Sequence, residues 1–453
     1  MLKINKSAWL GLLALGVSVA HAQQLSADTL SGLIARPMGN AANHVIEERG
    51  FFLNDETTLS GTIGLTDYIK ASNTDAGDQF GFYVDISGDL LVVGAPFEDS
   101  NGIGEGGNPS GNALTDSGAA YVYRKGPGGW AFEAMLKASN ADAGDNFGTG
   151  VAIEGDLVVV GAEMEDSNTT GVNSTPNNAA ENSGAAYIFR YSDGVWEEEA
   201  YLKASNTGIA DFFGSDVDIS NETVVVSAPF EDSSSNGINS VPDNFSTQAG
   251  AAYVFVKTAD GWVEEAYVKA SNSDIDDRFS QTVSIDGNTM VIGAPREDSA
   301  SAVINGSQGN STGDRTGNFG AAYVFVRNND VWEQQAYLKA PNVGMNDLFG
   351  ISSAVSGDTV AVGAIFEDSS STGVNGTFFD NAASDSGAVY VFKRNDAGVW
   401  FFNGYLKSEN TGSGDRFGEL VGISDNTIIA GAIFEDSREI LPGGMDNNDI
   451  TNS

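Results

Sequence analysis

The sequence predicts an all-β protein, a β-propeller of about six four-stranded blades, and three observations carry that expectation. An Asp-x-Phe segment, nearly always followed by Gly, recurs at Phe80, Phe147, Phe213, Phe279, Phe349 and Phe417, a step of roughly 66 to 70 residues, and a fixed step marks a stacked or closed repeat. Each recurrence leads into apolar residues of period two and then a continuous apolar run, the pattern of an alternating strand followed by a buried one. No helix-length amphipathic stretch competes with these strands. A seven-bladed propeller truncated at the C-terminus is the alternative reading.

Taken in chain order, the first element is a leader. Lys3 and Lys6 precede an apolar run that ends in the small-x-small site Ala20-His21-Ala22, the layout of a secretory signal and too short for a good membrane span. We expect a signal peptide over 1–22, a flank over 23–49 and the propeller over 50–453. No other stretch is long and apolar enough to cross a bilayer as a helix, so the chain is expected to be secreted or held at the cell surface.

Within a repeat, Val151 and Ile153 alternate, Glu154-Gly155-Asp156 turns the chain, and Leu157 to Ala162 forms the second strand. A Gly/Asn/Asp turn between such runs predicts a hairpin. Glu-Asp-Ser then opens a long Gly/Asn/Ser-rich loop, and a third strand follows, spelled GAAYVY, GAAYIF, GAAYVF, GAAYVF and GAVYVF in successive copies. The fourth strand carries a tryptophan, as in VWEEEAYLK, and ends near Lys70, Lys137, Lys203, Lys269, Lys339 or Lys407. These lysines are read as charge on an exposed outer strand, a common defence against edge-to-edge pairing. The ends differ from the interior: Gly50-Phe51-Phe52-Leu53 and Gly61 to Lys70 lie at the offsets of a third and fourth strand with no first and second before them. They are expected to complete the blade begun by the last repeat.

Charge and composition remove several functions. The 453 residues carry a formal net charge of −40, and that repulsion opposes approach to phosphate backbones, so no nucleic-acid partner is expected. There is no cysteine to form a disulfide. His44 is the only histidine left after removal of the leader, which argues against Ser-His-Asp catalysis and His-rich zinc sites.

Two acids occur in all six repeats. Asp78, Asp145, Asp211, Asp277, Asp347 and Asp415 precede the Phe-Gly phenylalanine, where a short carboxylate readily caps a turn. The aspartate of Glu-Asp-Ser, at Asp99, Asp166, Asp232, Asp298, Asp368 and Asp436, opens the long loop, which also supplies Asn173, Asn239, Asn305 or Asn375. Calcium takes six to eight oxygen ligands from carboxylates, amides and carbonyls, so these six aspartates are the candidate metal ligands; the other reading is that each organises its own loop. Paired carboxylates could also serve a hydrolase or lyase, but no repeat departs from the rest to place an acid/base set. The departures, Arg296, Ser227 and the longer loop from Ala300 to Phe319, form none.

Phe80-Gly81 with Gly94-Ala95-Pro96, and Phe279-Ser280 with Gly293-Ala294-Pro295, resemble the FG-GAP repeats of the integrin α-subunit propeller and of bacterial integrin-like secreted proteins. The resemblance runs from about 61 to 437 and implies the propeller fold. Many such repeats carry an Asp-x-Asp-x-Asp-Gly calcium loop between the two strands; here that connection is a tight turn, so that site is not carried over. Together these readings lead to an exported, monomeric, non-enzymatic scaffold for adhesion or for an extracellular protein or glycan ligand, stiffened by calcium. The alternative is a carboxylate-dependent hydrolase or lyase acting on polysaccharide.

Overall fold

In the computed structural model, residues 68–102, 111–309 and 317–436 are described. The leader, the flank, Gly50 to Leu53 and the stretch from Gly61 up to Tyr68 lie outside them. Every regular element is a β-strand.

The first blade comprises β1 (Val84–Ser87), β2 (Leu90–Ala95), β3 (Ala119–Gly126) and β4 (Gly129–Leu136), hydrogen-bonded in that order. The second comprises β5 (Phe147–Glu154), β6 (Leu157–Ala162), β8 (Ala185–Ser192) and β9 (Val195–Lys203), with the short β7 (Gly171–Val172) added outside β9. The same order repeats in β10 (Val217–Ser220), β11 (Thr223–Ala228), β12 (Ala251–Thr258) and β13 (Gly261–Val268), and then in β14 (Thr282–Asp286), β15 (Thr289–Ala294), β16 (Ala321–Asn328) and β17 (Val331–Leu338). The fifth blade is β18 (Ser353–Ser356), β19 (Thr359–Ala364), β20 (Ala388–Arg394) and β21 (Trp400–Leu406); β22 (Phe417–Ser424) and β23 (Thr427–Ala432) form a two-stranded sheet. Five full blades and the start of a sixth are therefore present. Among the described residues, no backbone pairing joins the last sheet to the first.

Second strands such as Leu157–Ala162 are buried along their whole length, because each sheet is covered on both faces by neighbouring blades. The cores lie between blades. Val92, Val122 and Leu136 of the first blade pack with Phe147, Val158 and Tyr187 of the second, and the arrangement recurs down the array.

The Phe-Gly segment makes that packing possible. Phe147 sits edge-on against Tyr187 at 5.4 Å, while its backbone bridges Gly118 of the preceding blade. Gly214 has φ +94°, and a Cβ there would lie 2.2 Å from the Ala185 carbonyl; only glycine allows the two backbones to approach so closely. At the one Phe-Ser copy, Ser280 holds φ 71° and replaces that contact with hydrogen bonds, accepting from Ala228 N at 3.1 Å and donating to the Ala251 carbonyl.

The lysines correct the edge-charge expectation. Lys137, Lys203, Lys269, Lys339 and Lys407 are all buried, and it is the long loop that protects the outer edge. β7 pairs with the end of β9. Asn173 donates its N–H to the Tyr201 carbonyl at 2.8 Å and accepts the Tyr201 N–H on Oδ1 at 2.9 Å. Asn239 on Tyr267, Asn305 on Tyr337 and Asn375 on Tyr405 repeat that clasp, all four asparagines at φ between 52 and 55°, a left-handed conformation asparagine tolerates.

Candidate functional site

At one end of the strands, each blade presents its long loop and the Phe-Gly segment that enters the next blade; the tight hairpin turns occupy the opposite end. The loop end is anchored by a buried hub on the glutamate of Glu-Asp-Ser. In the second blade, Glu165 Oε2 accepts from Lys203 Nζ at 2.9 Å and from Ser167 N at 3.0 Å, while Oε1 accepts from Tyr201 OH at 2.9 Å and Asn140 Nδ2 at 3.1 Å. The remaining ammonium donors of Lys203 go to Ser183 Oγ and the Gly184 carbonyl. Asn140 comes from the segment linking the first blade to the second, and its Oδ1 accepts from Tyr187 OH at 2.8 Å. The hub therefore ties two blades as well as three strands.

Four further blades build the same lysine–glutamate pair, Lys137–Glu98 at 3.2 Å, Lys269–Glu231 and Lys339–Glu297 at 2.8 Å, and Lys407–Glu367 at 3.1 Å. Burial pulls each lysine below its usual pKa and the glutamate opposes that shift. The glutamate occurs in all six repeats, and the lysine stands at a fixed distance before each Phe-Gly segment. That joint recurrence is the sequence signal of the hub; reading the lysine as edge charge hides it.

The Asp-x-Phe aspartates cap turns as expected. Asp145 Oδ2 accepts Asp142 N at 2.7 Å, and Asp211, Asp277 and Asp415 do the same with Gly208, Asp274 and Gly412. Burial raises the Asp145, Asp211 and Asp347 carboxyls to about 7, and the charge of the adjacent hub glutamate adds to it.

The six candidate calcium ligands lie one to a repeat. Asp99, Asp166, Asp232, Asp298 and Asp368 each accept, on Oδ1, a backbone N–H from the far end of their own loop, at Asp116, Asn182, Gln248, Asn318 and Asp385. Asp436 is half-buried at the start of its loop. Among the described residues, no three acidic or histidine side chains converge as a metal site, and Oδ1 of Asn173, Asn239, Asn305 and Asn375 is spent on strand edges. These side chains alone do not make up the six to eight oxygens calcium takes.

The first strands of successive blades lie side by side along the inner rim. There the buried Asp85 accepts Ile86 N and Ile153 N at 2.8 and 2.7 Å, and the buried Asp218 accepts Ile219 N and Ile285 N, both at 2.7 Å. Each carboxylate thus clips its strand to one in a neighbouring blade. Burial, then the charge of Asp218, pushes the Asp85 carboxyl well up.

Around the Phe-Gly segments the loop end carries aromatic and basic groups. The Arg278 guanidinium lies 4.6 Å over the Phe230 ring, and Arg416 lies between Phe366 and Phe434 at 4.9 and 4.4 Å. Val241, Phe245 and Phe379 on the long loops are 85, 81 and 74% exposed.

A profile of the FG-GAP repeat matches residues 65–123, 130–189, 196–255, 262–325 and 332–392, well over half of the chain. The chain belongs to the FG-GAP repeat family. No curated protein matches it. Each FG-GAP match is out of phase with the sheets: 130–189 takes in β4 of one blade and then β5, β6 and β8 of the next. The FG-GAP unit in this chain is therefore a link between blades rather than a single blade.

Proposed function

We propose that the protein is an exported, non-enzymatic FG-GAP scaffold whose loop end binds an extracellular protein or glycan. The observation that carries this reading is the set of large apolar side chains, Val241, Phe245 and Phe379, exposed on the long loops of a chain whose net charge is −40. At the same end, Arg278 over Phe230 and Arg416 between Phe366 and Phe434 supply stacking and charge-assisted contacts of the kind found at binding hot spots. Loops held on a rigid frame are the usual carriers of recognition. The scaffold reading is favoured over a carboxylate hydrolase by the buried inner-rim acids Asp85 and Asp218, which spend their oxygens on backbone N–H groups and fasten strands.

A glycan array and a cell-adhesion assay on the mature protein test the reading, with Phe245→Ala/Phe379→Ala/Arg416→Ala as the comparison. We expect a ligand bound by the parent and lost in the triple variant at unchanged Tm. Binding that survives all three substitutions would move the site away from the loop end. Calcium at the Glu-Asp-Ser aspartates enters the proposal only as a stabiliser of the loops. A melt in EDTA and in millimolar calcium, with bound metal counted, decides it: ions bound with a raised Tm place calcium in the loops, because a ligand of the native state stabilises by mass action. No ions and no shift leave the aspartates as loop organisers.

A further inference from the structure

Two positions of the repeat meet at the loop end: the middle residue of Asp-x-Phe and the residue before Glu-Asp-Ser. The first is Gln79, Asn146, Phe212, Arg278, Leu348 and Arg416 in chain order, every one at φ between 53 and 56°, so the six side chains leave the backbone in the same left-handed conformation. The second is Phe97, Met164, Phe230, Arg296, Phe366 and Phe434. In the third repeat both are aromatic, and Phe212 packs on Phe230 at 4.9 Å. Only in the fourth are both arginine.

One carboxylate holds the arginine pair. Asp276 Oδ2 accepts from Arg296 Nη1 at 2.8 Å, and its Oδ1 lies 3.4 Å from Arg278 Nε. The Arg278 side chain is 12% exposed, its guanidinium covers Phe230, and its buried Nε has no hydrogen-bond acceptor among the described residues. The neighbouring acids are engaged elsewhere, Asp277 on Asp274 N, Glu297 on Lys339 and Asp298 on Asn318 N. Burial, then the charge of Arg296, pushes Arg278 down to about 10, so it stays protonated at neutral pH with less than one counter-charge of its own. Packing does not require this arrangement, because Phe212 and Leu348 fill the first position, and Met164 and Phe366 the second, in other repeats. A buried cation short of acceptors is costly, and guanidinium groups are best met by an oxyanion that takes two N–H bonds at once.

Building on the loop-end reading above, we propose that Arg278 and Arg296 bind the anionic group, a carboxylate or a sulfate ester, of an acidic glycan, with the sugar ring set against Phe212 and Phe230. A sugar unit carries its anion beside an apolar ring face, which matches an arginine pair flanked by an aromatic pair. An acidic peptide presents the same charge on a flexible stem, whose ordering costs affinity. The net charge of −40 opposes the approach of any polyanion, but exposed charges are screened beyond about 8 Å at physiological salt while a partly buried contact is screened much less.

The test is calorimetric titration of the mature protein, in EDTA so that no calcium bridges the partners. The probes are hexagalacturonate and a sulfated galactan hexamer, each beside its neutral counterpart, the methyl ester and the unsulfated hexamer. At least one acidic glycan is expected to bind, with its neutral counterpart weaker by about tenfold or more, the worth of one charge-assisted contact. The tighter of the two identifies the anionic group. Arg278→Leu/Arg296→Phe, which installs residues other repeats hold at these positions, should remain folded by circular dichroism and lose acidic-glycan binding by a similar factor. Acidic and neutral forms bound alike, acidic binding untouched in the double variant, or hexaglutamate bound as tightly as the glycans overturns the proposal. So does the absence of any acidic-glycan binding, which leaves the loop-end reading standing wherever another ligand is still lost in Phe245→Ala/Phe379→Ala/Arg416→Ala. If the double variant does not fold, Arg296→Gln alone takes its place with the same readings.

Discussion

A single buried carboxylate decides how two blades meet. Glu165 is matched on both oxygens by lysine, tyrosine, asparagine and backbone donors, so its charge is fully compensated. Glu165→Ala should destabilise the protein by about 3–5 kcal/mol, because removing one partner strands a buried charge. Replacing both, in Glu165→Gln/Lys203→Met, should recover much of the loss, and urea unfolding measures the difference. Gly214→Ala acts differently, by backbone conflict. With φ +94° and the Ala185 carbonyl 2.2 Å from the new Cβ, it should cost about 2 kcal/mol or more by adding a clash to a conformation unfavourable for alanine. Both residues recur in the repeat and are visible as letters. What a repeat cannot display is which lysine finds which glutamate, since the two lie 38 residues apart and meet only across an intervening strand.

At the level of the element, the outer strand was the least legible. Its tryptophan and alternating polar residues announce a strand, and β9 follows that pattern. The tryptophan serves the array as well: Trp196 Nε1 donates to Glu133 of the preceding outer strand at 2.9 Å, and Trp332 to Glu265 at 2.8 Å. The edge itself is guarded by a returning loop, and nothing local in that loop marks where it returns. Asn173 is the decisive contact, so Asn173→Ala should speed amide exchange at Tyr201 and lower stability by about 1–2 kcal/mol, the cost of removing a side-chain cap from a backbone donor. Hydrogen exchange resolved by residue checks it. Equal protection at Tyr201 in the variant would show that the short β7 pairing suffices alone.

Burial of several carboxyls gives the whole molecule an unusual pH response. Asp145, Asp211, Asp216 and Asp347 are raised to about 7 by burial, against about 3.9 in an unfolded chain. The native state then binds more protons than the unfolded one between those values, so this contribution is fully present at low pH and is lost as pH rises through about 7. Tm at pH 5 should exceed Tm at pH 8, and Asp145→Asn, which keeps an acceptor for Asp142 N, should flatten that slope. A Tm that falls steadily from pH 8 to pH 5 would refute the reading.

The sequence by itself determined the repeat, the four-strand order and the turn-capping role of the Asp-x-Phe aspartates, because period-two burial and short capping motifs are local properties of a chain. Only the tertiary structure decided that five of the six outer lysines are buried, that the loop asparagines seal strand edges, and that five of the six Glu-Asp-Ser aspartates turn back on their own loops. Those outcomes depend on which groups a folded loop brings over a distant strand. A lysine at the end of a strand is written the same way whether water or a glutamate will face it, and the cost of burying its charge is met only once the neighbouring blade is in place.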